Sequence, residues 1–174
     1  WSSDVYSSDL VQGAAIFLSG GVDSLASLRH LTTVLPPGHP ERPGAAVLVD
    51  YQDIRNVSRD ETEARFIQRS AGCRAVCEDI GVQLVTIRTN MRRLNDDPRI
   101  WMDRYHGAVL AAMGHFVGDD FCLLHVAATN EAAHLDPWGS HPLLDPYYSS
   151  RHLRIAHHGV EFSRLEKVGL LRDW

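Results

Sequence analysis

Three features are scarce or missing in this 174-residue chain: cysteine, an excess of positive charge, and long apolar runs. Its 3 cysteines are few and odd in number, so disulfide bonds are not expected to hold the fold together. The 17 Lys and Arg residues are outnumbered by 22 Asp and Glu residues, giving a formal charge of -5. This charge disfavours nucleic acid and anionic membranes as partners, because both require dense positive charge.

No apolar run approaches the roughly 20 residues needed to cross a bilayer, and Trp1–Leu10 lacks the basic and apolar regions of a signal peptide. Low-complexity tracts and internal repeats are also missing. With 44% hydrophobic and 22% charged residues, the composition is typical of a globular protein. We therefore expect one cytoplasmic domain over residues 1–174, and the start at Trp1 and end at Trp174 indicate a fragment of a longer chain.

Short apolar runs alternate with helical patterns along the whole chain. This alternation favours parallel pairing, and hence a doubly wound α/β fold with a mostly parallel five-stranded sheet and helices on both faces. Ligands bind such sheets outside the carboxyl ends of the strands, here residues 19–24, 50–53, 89–93 and 128–150. The five predicted strands are Ala14–Leu18, Ala45–Val49, Gln83–Thr89, Phe121–Ala128 and Leu153–Ala156, and the helical patterns cover Leu25–Leu35, Ser58–Gly81, Trp101–Phe116 and Ser163–Leu171.

The most informative segment lies between the first strand and the first helix and reads Ser19-Gly20-Gly21-Val22-Asp23-Ser24. Adjacent glycines let the backbone approach a ligand closely, and the helix N-terminus that follows offers unpaired N–H groups to an anion. The two serine hydroxyls suit phosphate oxygens. The Asp23 carboxylate would repel a bare phosphate, so it suggests a Mg²⁺ bridge. The segment is neither a Walker A loop nor a dinucleotide fingerprint.

This segment resembles the Ser-Gly-Gly-x-Asp-Ser signature of the PP-loop ATP pyrophosphatases, the N-type group that includes asparagine synthetase, GMP synthetase and NAD synthetase. The resemblance implies the fold of the adenine-nucleotide alpha hydrolase-like group, with ATP and Mg²⁺ as cofactors. By this similarity Asp23 holds Mg²⁺ and Asp23 and Ser24 are catalytic. The nucleotide-binding residues that it implies are Ser19, Gly20, Gly21, Val22, Asp23 and Ser24, with Val49, Asp50 and Tyr51 meeting adenine or ribose.

The same resemblance implies a reaction. A carboxylate or amide-like oxygen of a small-molecule acceptor attacks the α-phosphorus of ATP, and pyrophosphate leaves. An amine or ammonia, supplied from solution or by a partner, then displaces AMP to form a C–N bond. Basic residues near the nucleotide are common in the family, so Arg164 and Lys167 are candidate catalytic phosphate contacts. Whether the chain assembles as a homodimer is left open.

The carboxyl-terminal half is similar, more loosely, to the segment after the fourth strand of 7-cyano-7-deazaguanine synthases, where a loop faces the acceptor substrate. The zinc-binding cysteine cluster of those enzymes is missing here. Asp136 and Asp145 each precede a proline, so turn formation is an equally good account of both. The candidate acceptor-binding residues are Asn130, Asp136, Gly139, Ser140, His141 and Asp145.

Two alternatives remain open. A sulfur-transfer enzyme on the same scaffold would need a reactive cysteine, but Cys73 and Cys77 fall on the apolar stripe of their predicted helix, and core packing is the better interpretation. A non-catalytic ATP-binding module would keep the fold without turnover. The 10 histidines include His157 and His158 beside the predicted crevice, but they show no established metal-binding motif.

Overall fold

The computed structural model describes residues 13–51, 58–95 and 97–174, and a five-stranded sheet forms its centre. The sheet order is β3-β2-β1-β4-β5, and every neighbouring pair is parallel. The predicted doubly wound α/β fold is therefore confirmed, and each predicted strand is present with small differences at its ends. The strands are β1 (Gly13–Phe17), β2 (Pro43–Asp50), β3 (Gln83–Arg88), β4 (Phe121–Ala127) and β5 (Arg154–His158).

The helices follow the predicted order, and none of those in the described residues is long and apolar enough to cross a membrane. A π-helical turn, Trp101–Tyr105, joins the third helix to the fourth. The helices are α1 (Val22–Val34), α2 (Arg59–Ile80), α3 (Pro98–Ile100), α4 (His106–Phe116) and α5 (Arg164–Leu171), with 3-10 turns at Met91–Leu94, Gly118–Asp120, Ala132–His134 and Asp145–Tyr148.

The helix starts show how local chemistry sets these bounds. The Ser163 hydroxyl accepts a bond from Glu166 N–H while the Glu166 carboxylate accepts from Ser163 N–H, so a full capping box opens α5. Ser58 and Glu61 at the start of α2 are also the residue types of a capping box, but this box is only half formed. The Ser58 hydroxyl accepts from Glu61 N–H, but the Glu61 carboxylate instead pairs with Arg65 at 2.6 Å, one turn further along α2.

Two apolar layers cover the two faces of the sheet. One face packs α1 and α2 against side chains such as Ile16 and Leu48, and it includes Cys73 and Cys77. The other face packs α4 and the Asp145–Tyr148 turn against β1, β2, β4 and β5. Cys73 and Cys77 are 2% and 1% exposed, which confirms that both belong to the core.

The strand order creates one crevice where loops leave the sheet in opposite directions. The chain passes from β1 to β2 on one side, whereas β4 lies on the other side of β1. A doubly wound sheet binds ligands at this switch point, because the two loops separate there and leave a gap. Here the loops are residues 19–24 after β1, which we call the glycine loop, and residues 128–153 after β4, which we call the β4–β5 loop.

Candidate functional site

The glycine loop is a tight turn held by its own serines. The Ser24 hydroxyl accepts a bond from Ser19 N–H at 3.2 Å and donates to Gly21 O at 3.0 Å, and the Ser19 hydroxyl accepts from Gly21 N–H at 3.2 Å. Gly20 has a φ of 81°, a left-handed conformation that favours glycine. The backbone is thus fixed by the residue types that the sequence singled out.

The start of α1 is open to a ligand. Gly21 precedes the helix without any side-chain cap, and Ser19, Gly20 and Gly21 are all exposed. The N–H groups of the first helical turn have no acceptor within the helix, and the positive end of the helix dipole lies there. The loop therefore presents donors and partial positive charge to the crevice, which suits an anion.

Two basic side chains of α5 meet Asp23 at this point. Arg164 Nη1 lies 2.9 Å from Asp23 Oδ1, and Lys167 Nζ lies 3.5 Å from the same oxygen. The two differ sharply in exposure: the Arg164 side chain is 62% exposed, and that of Lys167 only 1%. Both candidate phosphate contacts thus adjoin the glycine loop, but only Arg164 is free to move.

Lys167 is the only lysine of the chain, and its buried ammonium lies among two carbonyls and a carboxylate. Its ammonium donates to Ala128 O at 2.7 Å and to Thr129 O at 3.1 Å, in addition to the contact with Asp23. An ammonium has three N–H donors, and burying one is costly unless each finds an acceptor. Lys167 therefore ties the glycine loop to the first residues of the β4–β5 loop.

At the end of β2, side chains as well as backbone groups contact the neighbouring elements. Asp50 is buried, with its carboxylate 3.1 Å from Arg88 Nε and 3.8 Å from Arg69 Nη2. Tyr51 packs edge-on against the Trp101 ring at 5.0 Å, and burial raises the pKa of its hydroxyl. Arg69 also donates to Val49 O at 3.4 Å. Residues 52–53 of the predicted 50–53 segment lie outside the described residues.

A cavity of about 450 Å³ adjoins the glycine loop. It extends from Gly20 and Gly21 to Arg69 of α2, and the predicted nucleotide residues Val49, Asp50 and Tyr51 are not among its lining residues. Its volume lies within the range of roughly 300–1,000 Å³ that is typical of small-molecule sites. The wall on the far side of the loop is formed by Leu25, Gln68, Gly72, Cys73 and Val76.

A second, smaller cavity of about 160 Å³ lies under the β4–β5 loop. It brings together four of the six candidate acceptor residues: Asn130, Asp136, Ser140 and His141. Asn130 Nδ2 donates to Asp136 Oδ2 at 3.2 Å across its rim. The remaining lining includes His106, Thr129, Trp138 and His157, and none of these four was among the predicted acceptor residues.

Asp145 does not line this cavity; it holds the residues that do. The carboxylate is 1% exposed and accepts bonds from Ser140 Oγ at 2.7 Å, His141 N–H at 3.0 Å and His157 Nδ1 at 2.7 Å. Because a carboxylate only accepts, His157 donates through Nδ1, which leaves Nε2 as the ring nitrogen directed away from Asp145. The signal for His157 was its position at the carboxyl end of the fifth strand.

Gly139 also has a packing role. Its N–H donates to Met102 O at 2.9 Å and its carbonyl accepts from Gly107 N–H at 3.1 Å, so the β4–β5 loop lies directly against the start of α4. A Cβ at Gly139 would lie 2.6 Å from Tyr105 N. Such a contact leaves no room for any side chain.

The cysteines have the properties of core thiols. Cys73 lies beside Gly20, and its Sγ would be 3.4 Å from a Cβ added to Gly20. Burial raises the pKa of the Cys73 thiol. Burial likewise raises the pKa of Cys77 to about 11. Cys122 is half-buried in β4. Since the thiolate is the nucleophile, Cys73 and Cys77 are poorly suited to sulfur transfer.

Neither a protein-family model nor a curated protein matches the chain.

We expect Gly139→Ala to lower the free energy of unfolding by about 1–3 kcal/mol, because the new methyl group collides with backbone atoms of the π-helical turn. Gly169→Ala in α5 is the matched control, since a Cβ there meets nothing within 4 Å. Urea unfolding of both variants measures the difference. Equal stability of the two variants would contradict the close approach.

We further expect Cys73 and Cys77 to resist alkylation by iodoacetamide at pH 8 in the folded protein and to react once urea unfolds it. Burial removes both access and thiolate, as the raised pKa values indicate. Mass spectrometry of the peptides gives the extent of labelling at each position. Rapid labelling of Cys73 in the folded chain would revive the sulfur-transfer alternative.

Proposed function

We propose that this chain is an ATP-dependent adenylating enzyme that forms a C–N bond and releases pyrophosphate and AMP. The observation that carries the proposal is the glycine loop at the switch point of the sheet, open to solvent and next to two basic side chains. The resemblance of Ser19–Ser24 to the PP-loop signature supports the same function. The proposal includes a cytoplasmic location, where ATP is abundant.

The glycine loop suits the diphosphate that leaves in such a reaction. Amide donors of the first turn of α1 are fixed before any ligand arrives, because the hydroxyls of Ser19 and Ser24 hold the loop, so little reorganisation is needed as negative charge develops. The adjacent cavity of about 450 Å³, between the loop and α2, would take the adenosine portion. ATP would thus lie between the carboxyl end of β1 and α2.

Asp23 is the residue that fits Mg²⁺, because it is the carboxylate nearest to the loop amides and carboxylate oxygen is a preferred ligand of that ion. When bound, Mg²⁺ supplies charge neutralisation on the diphosphate. The exposed Arg164 can leave Asp23 and contact the phosphates, since little packing holds it. Lys167 keeps its three acceptors and positions the loop instead.

The second cavity supports binding of the acceptor. Asn130, Asp136 and Ser140 offer amide, carboxylate and hydroxyl groups toward a small polar molecule. The acceptor oxygen attacks the α-phosphorus, the bond between the α-phosphorus and its bridging oxygen breaks, and pyrophosphate leaves. A nitrogen nucleophile then attacks the activated carbon, AMP leaves, and His157 Nε2 accepts the proton of the nitrogen.

Incubation of the chain with ATP labelled at the α-phosphate, Mg²⁺ and ammonium tests the reaction class. We expect labelled AMP and unlabelled pyrophosphate, because the loop holds the β- and γ-phosphates as the leaving group. In this assay water takes the place of the acceptor, so we expect the cleavage to be slow. Thin-layer chromatography separates the nucleotides. Formation of ADP and phosphate would refute the proposal, and tight ATP binding without any cleavage would favour the non-catalytic binding module.

Binding of a non-hydrolysable ATP analogue, measured by calorimetry, assigns the residues. We expect Ser24→Ala and Arg164→Gln to weaken binding about 10-fold or more, since the first removes the hydroxyl that holds the glycine loop in shape and the second removes a bond to a charged phosphate. Ser70→Ala on α2 and Arg172→Gln at the end of α5 are matched controls outside the site, and both should bind as the parent does. Parental affinity in the two site variants would exclude the loop as the phosphate site.

A further inference from the structure

A separate group of metal-ligating side chains lies where α1 meets the turn after β5. It consists of His30 on α1, His158 at the end of β5, and Glu161 in the turn. One ligand atom from each lies within 4.8 Å of the others. None of the three contributes to the glycine loop or to the cavity under the β4–β5 loop.

The two imidazoles are spaced as a metal requires. His30 Nδ1 and His158 Nε2 are 3.4 Å apart, which is long for a hydrogen bond between ring nitrogens. Two nitrogens bound to one tetrahedral Zn²⁺ at about 2.0–2.1 Å would be separated by about 3.3–3.4 Å. The observed distance matches this tetrahedral edge. Glu161 is exposed, so rotation of its side chain can bring its carboxylate to the same point.

The surrounding backbone fixes this arrangement. Gly159 has a φ of 90°, and an added Cβ would lie 3.1 Å from Ser27 Oγ, so the turn packs closely on α1. Phe162 N–H donates to Gly159 O at 3.3 Å and closes the turn. The Phe162 ring contacts the His30 ring edge-on at 4.8 Å. These contacts orient the His30 and His158 rings before any ion binds.

The ring nitrogens of the neighbouring histidines have separate roles. His125 donates through Nε2 to Glu41 O at 3.0 Å, so this nitrogen does not face the site. His158 Nε2 faces His30, whereas His158 Nδ1 is buried and has no hydrogen-bond partner among the described residues. An ion at this point would therefore be bound through His158 Nε2.

We propose that His30, His158 and Glu161 bind one zinc-class divalent cation, with water completing a tetrahedral site. A ligand set of imidazole nitrogens and one carboxylate suits Zn²⁺ better than Mg²⁺, which prefers oxygen ligands. The ion would fasten α1, which begins at the glycine loop, to the segment that leads into α5. This proposal stands on its own geometry and does not depend on the adenylation reaction.

Calorimetric titration of the whole chain with ZnCl₂ in the absence of nucleotide tests the site. We expect one Zn²⁺ per chain and a rise in the melting temperature. We expect His30→Gln and Glu161→Gln to weaken this binding at least about 10-fold, since each removes a direct ligand. His134→Gln is the matched control, because His134 and Glu131 form an exposed pair at 2.7 Å that includes none of the three proposed ligands.

Glu161→Gln keeps the test independent of folding, because Glu161 is exposed; circular dichroism checks that each variant is folded. Parental Zn²⁺ affinity in both site variants would overturn the proposal. So would a loss of Zn²⁺ binding in His134→Gln equal to that in His30→Gln. Failure of Zn²⁺ binding leaves ATP cleavage unaffected, so the two proposals are tested separately.

Discussion

The buried ammonium of Lys167 is the interaction on which the rest of the site depends. It satisfies the carbonyls of Ala128 and Thr129 and faces the carboxylate of Asp23, so one side chain joins the loops that separate at the switch point. A buried charge with three acceptors is tolerated only in this geometry, and loss of any partner would leave an uncompensated group. The crevice therefore keeps its shape because moving either loop would expose or orphan this charge.

One cavity adjoins each of the two loops that this bridge joins, and the chemistry of the two cavities differs. The cavity beside the glycine loop combines backbone donors with Arg69, and so suits a phosphorylated ligand. The cavity under the β4–β5 loop offers amide, hydroxyl, carboxylate and imidazole groups. Buried Asp145 sets the orientation of His157 there. The proposed reaction between a nucleotide and a small polar acceptor would use both environments, and Thr129 belongs to both the bridge and the second cavity.

Local patterns were sufficient to predict the strands, the helices and the glycine loop, because apolar runs, caps and adjacent glycines act over a few residues. The functions of Lys167, Asp145 and Gly139 were not predictable in the same way. Whether Lys167 faces phosphate or carbonyls, and whether Asp145 faces a cavity or the core, depends on packing between segments far apart in the chain. At Ser58 the capping box is only half formed, because the Glu61 carboxylate pairs with Arg65 instead of with the Ser58 N–H.

A crystal structure of the chain with α,β-methylene-ATP and Mg²⁺ would show whether the glycine loop binds the departing diphosphate. We expect the β- and γ-phosphates within about 2.7–3.2 Å of backbone nitrogens of residues 20–24. We also expect Lys167 still to contact Ala128 and Thr129, and Arg164 to have turned from Asp23 to the phosphates. A nucleotide bound elsewhere, with the glycine loop free of phosphate, would contradict this expectation.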